Sequence, residues 1–188
     1  DETTWLVLGA VALLLVWLLW RKFGRRGTPL ARAIDEIAFE SIRELVIPGA
    51  DEGEIHIDQL LLTSKGLLIL EIKDVQGTVF GSDKMSDWTV IADDRRFTFS
   101  NPQPGLYDRI AAVRQIVRQV PVEGRVVFLD GAEFTKGVPS LACSLEELVV
   151  EFGEPDKDAA KFKIEAQAAR GARRGVRSAI EFLAPPGE

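Results

Sequence analysis

Cysteine and histidine are nearly missing from this chain: Cys143 and His56 are the single examples in 188 residues. One thiol excludes an intramolecular disulfide and a zinc centre of clustered cysteines. One imidazole excludes metal centres with two histidine ligands. No low-complexity tract or internal repeat is present, which removes repeat architectures. Positive charge is short as well, with 23 Lys and Arg against 29 Asp and Glu, a net charge of −6. Residues 1–30 carry +2, leaving −8 on the remainder. That balance opposes strong non-specific binding of nucleic acid unless the basic groups cluster.

What is present suffices for a real core. Apolar residues make up 46% of the chain, and about 160 residues remain for one soluble domain once the first stretch is set aside. That first stretch, residues 1–22, reads as a membrane anchor. Thr3 to Trp20 is an uncharged run of eighteen residues, roughly 27 Å of helix at about 1.5 Å per residue, against a bilayer core of about 30 Å. Trp5, Trp17 and Trp20 stand at its ends, where interfacial aromatics sit. The flank before it is acidic and no small-residue cleavage site follows, which argues against a secretory signal. Arg21, Lys22, Arg25 and Arg26 place the following domain on the cytoplasmic side of a bacterial inner membrane, with a single pass. Residues 23–30 form a basic linker.

Leu30 to Leu45 has Ile34, Ile37, Ala38, Ile42 and Leu45 at helical spacing, with Pro48-Gly49 as a stop. Glu36, Glu40 and Glu44 follow one another at intervals of four on or near one face of that expected helix. Next come two β-rich runs, Ile55 to Thr63 and Gly66 to Lys73, joined at Ser64-Lys65, which predicts a hairpin. A turn at Ser64-Lys65 sets Asp58 opposite Glu71, and Lys73 shares the face of Glu71. Two carboxylates that close repel unless a proton or cation lies between them, and a hard divalent cation such as Mg2+ suits oxygen donors. The plainer alternative makes Glu71 and Lys73 edge-strand charges that keep a sheet soluble.

Asp58 followed by Glu71-Ile72-Lys73 resembles the metal site of the PD-(D/E)xK nucleases. The longer pattern Ile57-Asp58-Gln59, Gly66 to Lys73, Gly77, Gly81, Trp88 and Asn101-Pro102 resembles the NERD, or nuclease-related domain, family over about residues 31–140. The resemblance implies an α/β (α+β) domain with a restriction-endonuclease-like mixed sheet flanked by helices. It also implies Mg2+ or Mn2+ held by Asp58, Glu71 and the Ile72 carbonyl, Lys73 positioning the attacking water, and Glu36, or second Glu40, facing the metal. One departure is visible. The family pattern has a glutamine three residues after the proline of Asn101-Pro102; here that position is Gly105, and Gln103 comes two residues early.

Thr78-Val79-Phe80 between Gly77 and Gly81 predicts a short strand, and Trp88 to Ile91 with Arg96 to Phe99 predicts a second hairpin. Trp88 reads as core packing. A helix over Leu106 to Val120 and a buried strand over Arg125 to Leu129 follow. Residues 141–188 form a C-terminal extension, with a helix expected over Asp156 to Phe182. Its Arg170, Arg173, Arg174 and Arg177 suit phosphates, anionic lipid headgroups, or ordinary pairing with the abundant acids. Two functions follow. One is a membrane-anchored, metal-dependent nuclease acting on nucleic acid. The other is a non-catalytic membrane subunit that uses the nuclease-like fold to dock to a larger membrane-protein complex.

Overall fold

The turn Ser64-Lys65 joins two long strands, and the rest of the fold is laid against them. The computed structural model describes residues 27–48, 53–117 and 120–153. The expected anchor, the basic linker up to Arg26 and the expected C-terminal basic helix lie outside the described residues. Among the described residues, no helix is long and apolar enough to cross a membrane.

The chain divides into two units at Arg32/Ala33. In the first, Thr28 starts helix α1 (Pro29–Ile37): its hydroxyl accepts from the Ala31 N–H at 3.2 Å. The second unit holds the remainder of α1, with Ala33, Ile34 and Ile37 buried, and the other elements. These are β1 (Ala38–Pro48), β2 (Glu54–Thr63), β3 (Gly66–Lys73), β4 (Gly77–Phe80), β5 (Asp87–Ala92) and β6 (Arg95–Ser100), followed by α2 (Gln103–Ile116), β7 (Val122–Phe128), β8 (Ala132–Phe134), β9 (Ala142–Ser144) and α3 (Leu145–Phe152).

The strands form two sheets where a single mixed sheet was expected. One runs β1-β2-β3-β7-β9 and the other β6-β5-β4-β8. In the first, β3 is antiparallel to β2 and parallel to β7, and β7 is parallel to β9. The β2–β3 hairpin has the expected register, from Thr63–Gly66 to Gln59–Leu70. The second expected hairpin is β5–β6, with its turn at Asp93-Asp94.

The helix expected over Leu30 to Leu45 ends at Ile37, and Ala38–Pro48 is a strand paired with β2. Glu36 therefore lies on α1, while Glu40 and Glu44 lie on β1. The helix-like spacing has an origin within the strand. Glu44 has φ +52°, and the Glu44–Asp58 position drops out of the β1–β2 register, which is constant from Glu40 to Pro48 after a shift between Ala38 and Glu40. That break shifts the two-residue alternation, so Ile42 and Leu45, three apart, both pack on one core cluster, as do Ile57 and Leu60. Three-residue spacing of apolar side chains is what a helix also produces. Pairing with the long partner β2 decides for strand.

Helix α2 covers one face of the first sheet with Leu106, Ile110, Val113 and the adjoining Val117. Leu61, Leu68 and Leu70 are buried on the opposite face, as the alternation along β2 and β3 requires. Trp88 is fully buried between the sheets, with Phe99, Phe128 and Phe134 around it at 6.1–6.5 Å, and its indole N–H donates to the Ser82 carbonyl. Packing is its evident role, as the sequence suggested.

Gly124 on β7 is where α2 comes closest. A Cβ there would lie 2.8 Å from Ile110 Cδ1 and 2.9 Å from Leu106 Cδ1. Gly124→Ala is expected to cost about 1–3 kcal/mol through overpacking. In a chain of this size that lowers Tm by roughly 2–4 °C per kcal/mol. Gly53→Ala, which meets nothing within 4 Å, serves as the control. Thermal denaturation followed by circular dichroism compares the two, and equal melting temperatures would contradict the close approach.

Candidate active site

Strand β3 begins as a fully buried run, Gly66 to Leu70, and turns half-buried at Glu71, Ile72 and Lys73. It lies between β2 and β7 as far as Leu70, and its last three residues, Glu71 to Lys73, keep only the pairing with β7. Buried strands keep ionised side chains for their ends, where water or a partner charge is available. Glu71 Oε1 is 2.9 Å from Lys73 Nζ, and Glu71 Oε2 is 3.2 Å from an Arg109 guanidinium nitrogen. Side-chain exposures are 16% for Glu71, 29% for Lys73 and 32% for Arg109. The Lys73 ammonium also lies 5.7 Å from the centre of the Phe99 ring, which holds it by cation–π attraction.

The structure brings together two of the expected site residues, Glu71 and Lys73. Ile72 lies between them and pairs with Val127. Asp58 sits on β2 beside the break in alternation; it is exposed and has no hydrogen-bond or ion-pair partner among the described residues. The β2–β3 ladder ends one pair earlier, at Gln59–Leu70. Glu36 is exposed on α1. No group of three or more His, Cys, Asp or Glu side chains is arranged to hold a metal ion among the described residues.

Arg109 was not anticipated. It comes from α2, 38 residues beyond Glu71, and its Nε donates to the His56 carbonyl at 2.8 Å. It thus links β2 to β3 just past the point where their backbone pairing stops. The available signal was its helical spacing from Gly105, which removes a side chain one turn earlier. A Cβ at Gly105 would lie 3.4 Å from Arg109 Nη1.

Gln103 does not reach this cluster. It is 2% exposed and ties three segments together. Its amide nitrogen donates to Asp83 Oδ1 at 2.9 Å, and its amide oxygen accepts from the Leu141 N–H at 2.8 Å. Asn101 organises the helix start, accepting from the Gln103 N–H at 2.9 Å while donating to the Met85 carbonyl at 2.8 Å. The Asn-Pro-Gln sequence is therefore a structural knot at the head of α2. It sets the axial position of the helix, and with it the reach of Arg109.

Just beyond Lys73, the parallel pair β3–β7 leaves the first sheet and becomes β4–β8 in the second. The crossing is bonded by Leu129 N–H to the Lys73 carbonyl at 3.0 Å and Gly77 N–H to the Gly131 carbonyl at 2.7 Å. A recess of about 370 Å³ opens on its β7 side, lined in part by Phe128, Asp130, Glu133, Cys143 and Glu147. None of Asp58, Glu71 or Lys73 lines it, and its carboxylates would repel a phosphodiester. Burial pushes the Cys143 thiol up to about 12, so it is no nucleophile near neutral pH.

Residues 30–129 match the sequence model of a family described as nuclease-related domain, NERD. An uncharacterised protein of Bacillus anthracis is 29% identical over 64 residues, which is 34% of this chain and 30% of that protein. The chain thus aligns with less than a third of that relative's length. No solved structure matches.

The Asp83 knot makes a pH prediction. The Ser140 backbone N–H and then the Gln103 amide, donating to Asp83, hold its carboxyl below the ordinary 3.8. A depressed folded pKa means that its contribution to stability is present above pH 3.8 and is lost as pH falls through the folded value. Protection of the Ser140 and Leu141 amides against hydrogen exchange, taken relative to their intrinsic rates at each pH, is expected to fall over that acid window. In Asp83→Asn the dependence should vanish; its persistence would assign the effect to another group.

Proposed function

Because this chain belongs to the nuclease-related domain family, we propose that it is a phosphodiesterase acting on nucleic acid, dependent on Mg2+ or Mn2+ and held at the bacterial inner membrane. The observation that carries the reading is the Lys73–Glu71 pair at 2.9 Å, set at the emerging end of a central strand. Such a pair places a cation and a hard oxygen donor side by side at the surface, as a PD-(D/E)xK arrangement requires.

The donors suit a hard divalent ion in kind: the Glu71 carboxylate, the Ile72 carbonyl beside it and the exposed Asp58 carboxylate on the neighbouring strand. When bound, the metal supplies Lewis-acid stabilisation of the phosphoryl oxygens and lowers the pKa of its water. The chain's residues do the rest. Lys73 holds the attacking water or a phosphate oxygen by its charge, with Phe99 restraining the ammonium. Glu71 sets the position of Lys73. Glu36 is assigned an outer role through water.

Residues 1–22 are assigned to the anchor, with lipid as their partner. The arginines Arg170, Arg173, Arg174 and Arg177 are assigned to anionic phosphates, of nucleic acid or of headgroups. A second reading, a non-catalytic subunit docking to a membrane complex, is favoured by one observation: Arg109 already neutralises the second oxygen of Glu71.

Lys73→Ala is expected to reduce cleavage by roughly 100- to 1000-fold, the usual cost of deleting a charge aimed at the transition state. The assay takes purified protein, DNA and RNA substrates, either metal, and EDTA as control. Equal cleavage by both proteins would mean a contaminant; none by either would favour the docking subunit. Accessibility labelling in cells is expected to find the C-terminus in the cytoplasm, and labelling from the opposite side would overturn the topology.

A further inference from the structure

Both oxygens of Glu71 are occupied by cations of the chain itself. Lys73 belongs to the arrangement proposed above, but Arg109 does not, and it takes the oxygen that a metal would need. We infer that Arg109 is an internal gate on this site: its guanidinium holds Glu71 closed to divalent metal and leaves when an anionic phosphodiester draws it away. The inference rests on the metal-site reading of Glu71 and adds how metal entry is controlled.

Three observations support it. The guanidinium is bound at two points, Nη1 to Glu71 Oε2 at 3.2 Å and Nε to the His56 carbonyl at 2.8 Å, so it is seated and not merely nearby. It is one-third exposed, so it can swing toward solvent without breaking the core. Gly105, one turn before it on α2, leaves no side chain that would block that movement. A guanidinium matches phosphate oxygens as well as it matches a carboxylate. Transfer from Glu71 to a phosphodiester therefore keeps the arginine paired while it frees a carboxylate oxygen. Metal and substrate would then arrive together, which limits hydrolytic competence to the substrate-bound state.

The test is Mn2+ affinity, read by electron paramagnetic resonance of the free ion, without any turnover. Arg109→Gln is expected to bind Mn2+ more tightly than wild type, by roughly tenfold or more, the scale of a lost hydrogen bond to a charged group. The double variant Arg109→Gln/Glu71→Gln should lose that gain. Arg109→Lys, which keeps the charge, should stay below Arg109→Gln. Damage to the fold would weaken binding, so a gain in affinity is not what a merely structural arginine would produce. A non-hydrolysable dinucleotide should tighten Mn2+ binding to wild type and leave Arg109→Gln little changed. Equal affinity in wild type and Arg109→Gln, with Glu71→Gln weakening both, overturns the gate and leaves the metal reading standing. Binding that ignores Glu71→Gln, or no binding in any variant, overturns both.

Discussion

The parallel pairing of β3 with β7 is the constraint to which the other parts are fitted. Its seven paired positions run from Leu67–Val122 to Lys73–Phe128, and most of their side chains are buried. A parallel pair cannot be closed by a tight turn, so the chain between them must travel out and return, and β4, β5, β6 and α2 are that excursion. Its return is covered by α2, which comes down on Gly124. Because β3 is central and apolar for its first five residues, charge can emerge only at its end. Glu71 and Lys73 stand there, at the point where the pair crosses from one sheet to the other.

Ionic contacts are concentrated at two ends of this framework. Around Glu71 the contacts are half-exposed, and their effect is chiefly to set geometry, since the gain of such pairs is offset by desolvation and side-chain ordering. On β7, Arg125 bonds both Glu123 and Glu151, and its guanidinium lies over the Phe152 ring. The Arg125 hydrogen bond, against the opposing effect of burial, holds the Glu151 carboxyl below its usual range. Helix α3 is thereby fastened to the sheet. Its N-terminus is finished by a capping box between Ser144 and Glu147, which satisfies backbone donors locally.

The Asn101–Gln103 knot shows how a short motif serves a site that it never touches. Two side chains satisfy backbone groups of the 82–86 and 139–141 segments, and a buried amide with both ends bonded tolerates little displacement. The head of α2 is held there, and Arg109 is carried less than two turns further along. In sequence Gln103 resembled a displaced copy of a site residue. Its partners identify it as part of the framework.

Local rules were enough for much of this protein. Alternating apolar runs around Ser64-Lys65 and Asp93-Asp94 specified both hairpins, because period two and a tight turn are properties of contiguous residues. The registration of β2 with β3 followed from the turn alone, and the same arithmetic put Glu71 and Lys73 on one face. Three matters needed the tertiary structure. The segment Ala38–Pro48 is a strand because β2 is there to pair with it, while the positive φ at Glu44 gives its apolar residues helix-like spacing. The division into two sheets depends on where two distant parallel strands bend together. Arg109 meets Glu71 across 38 residues, a contact set by how α2 lies on the sheet. Periodicity reports which way a side chain points along its own element; which charge waits on the other side is decided only when the elements pack.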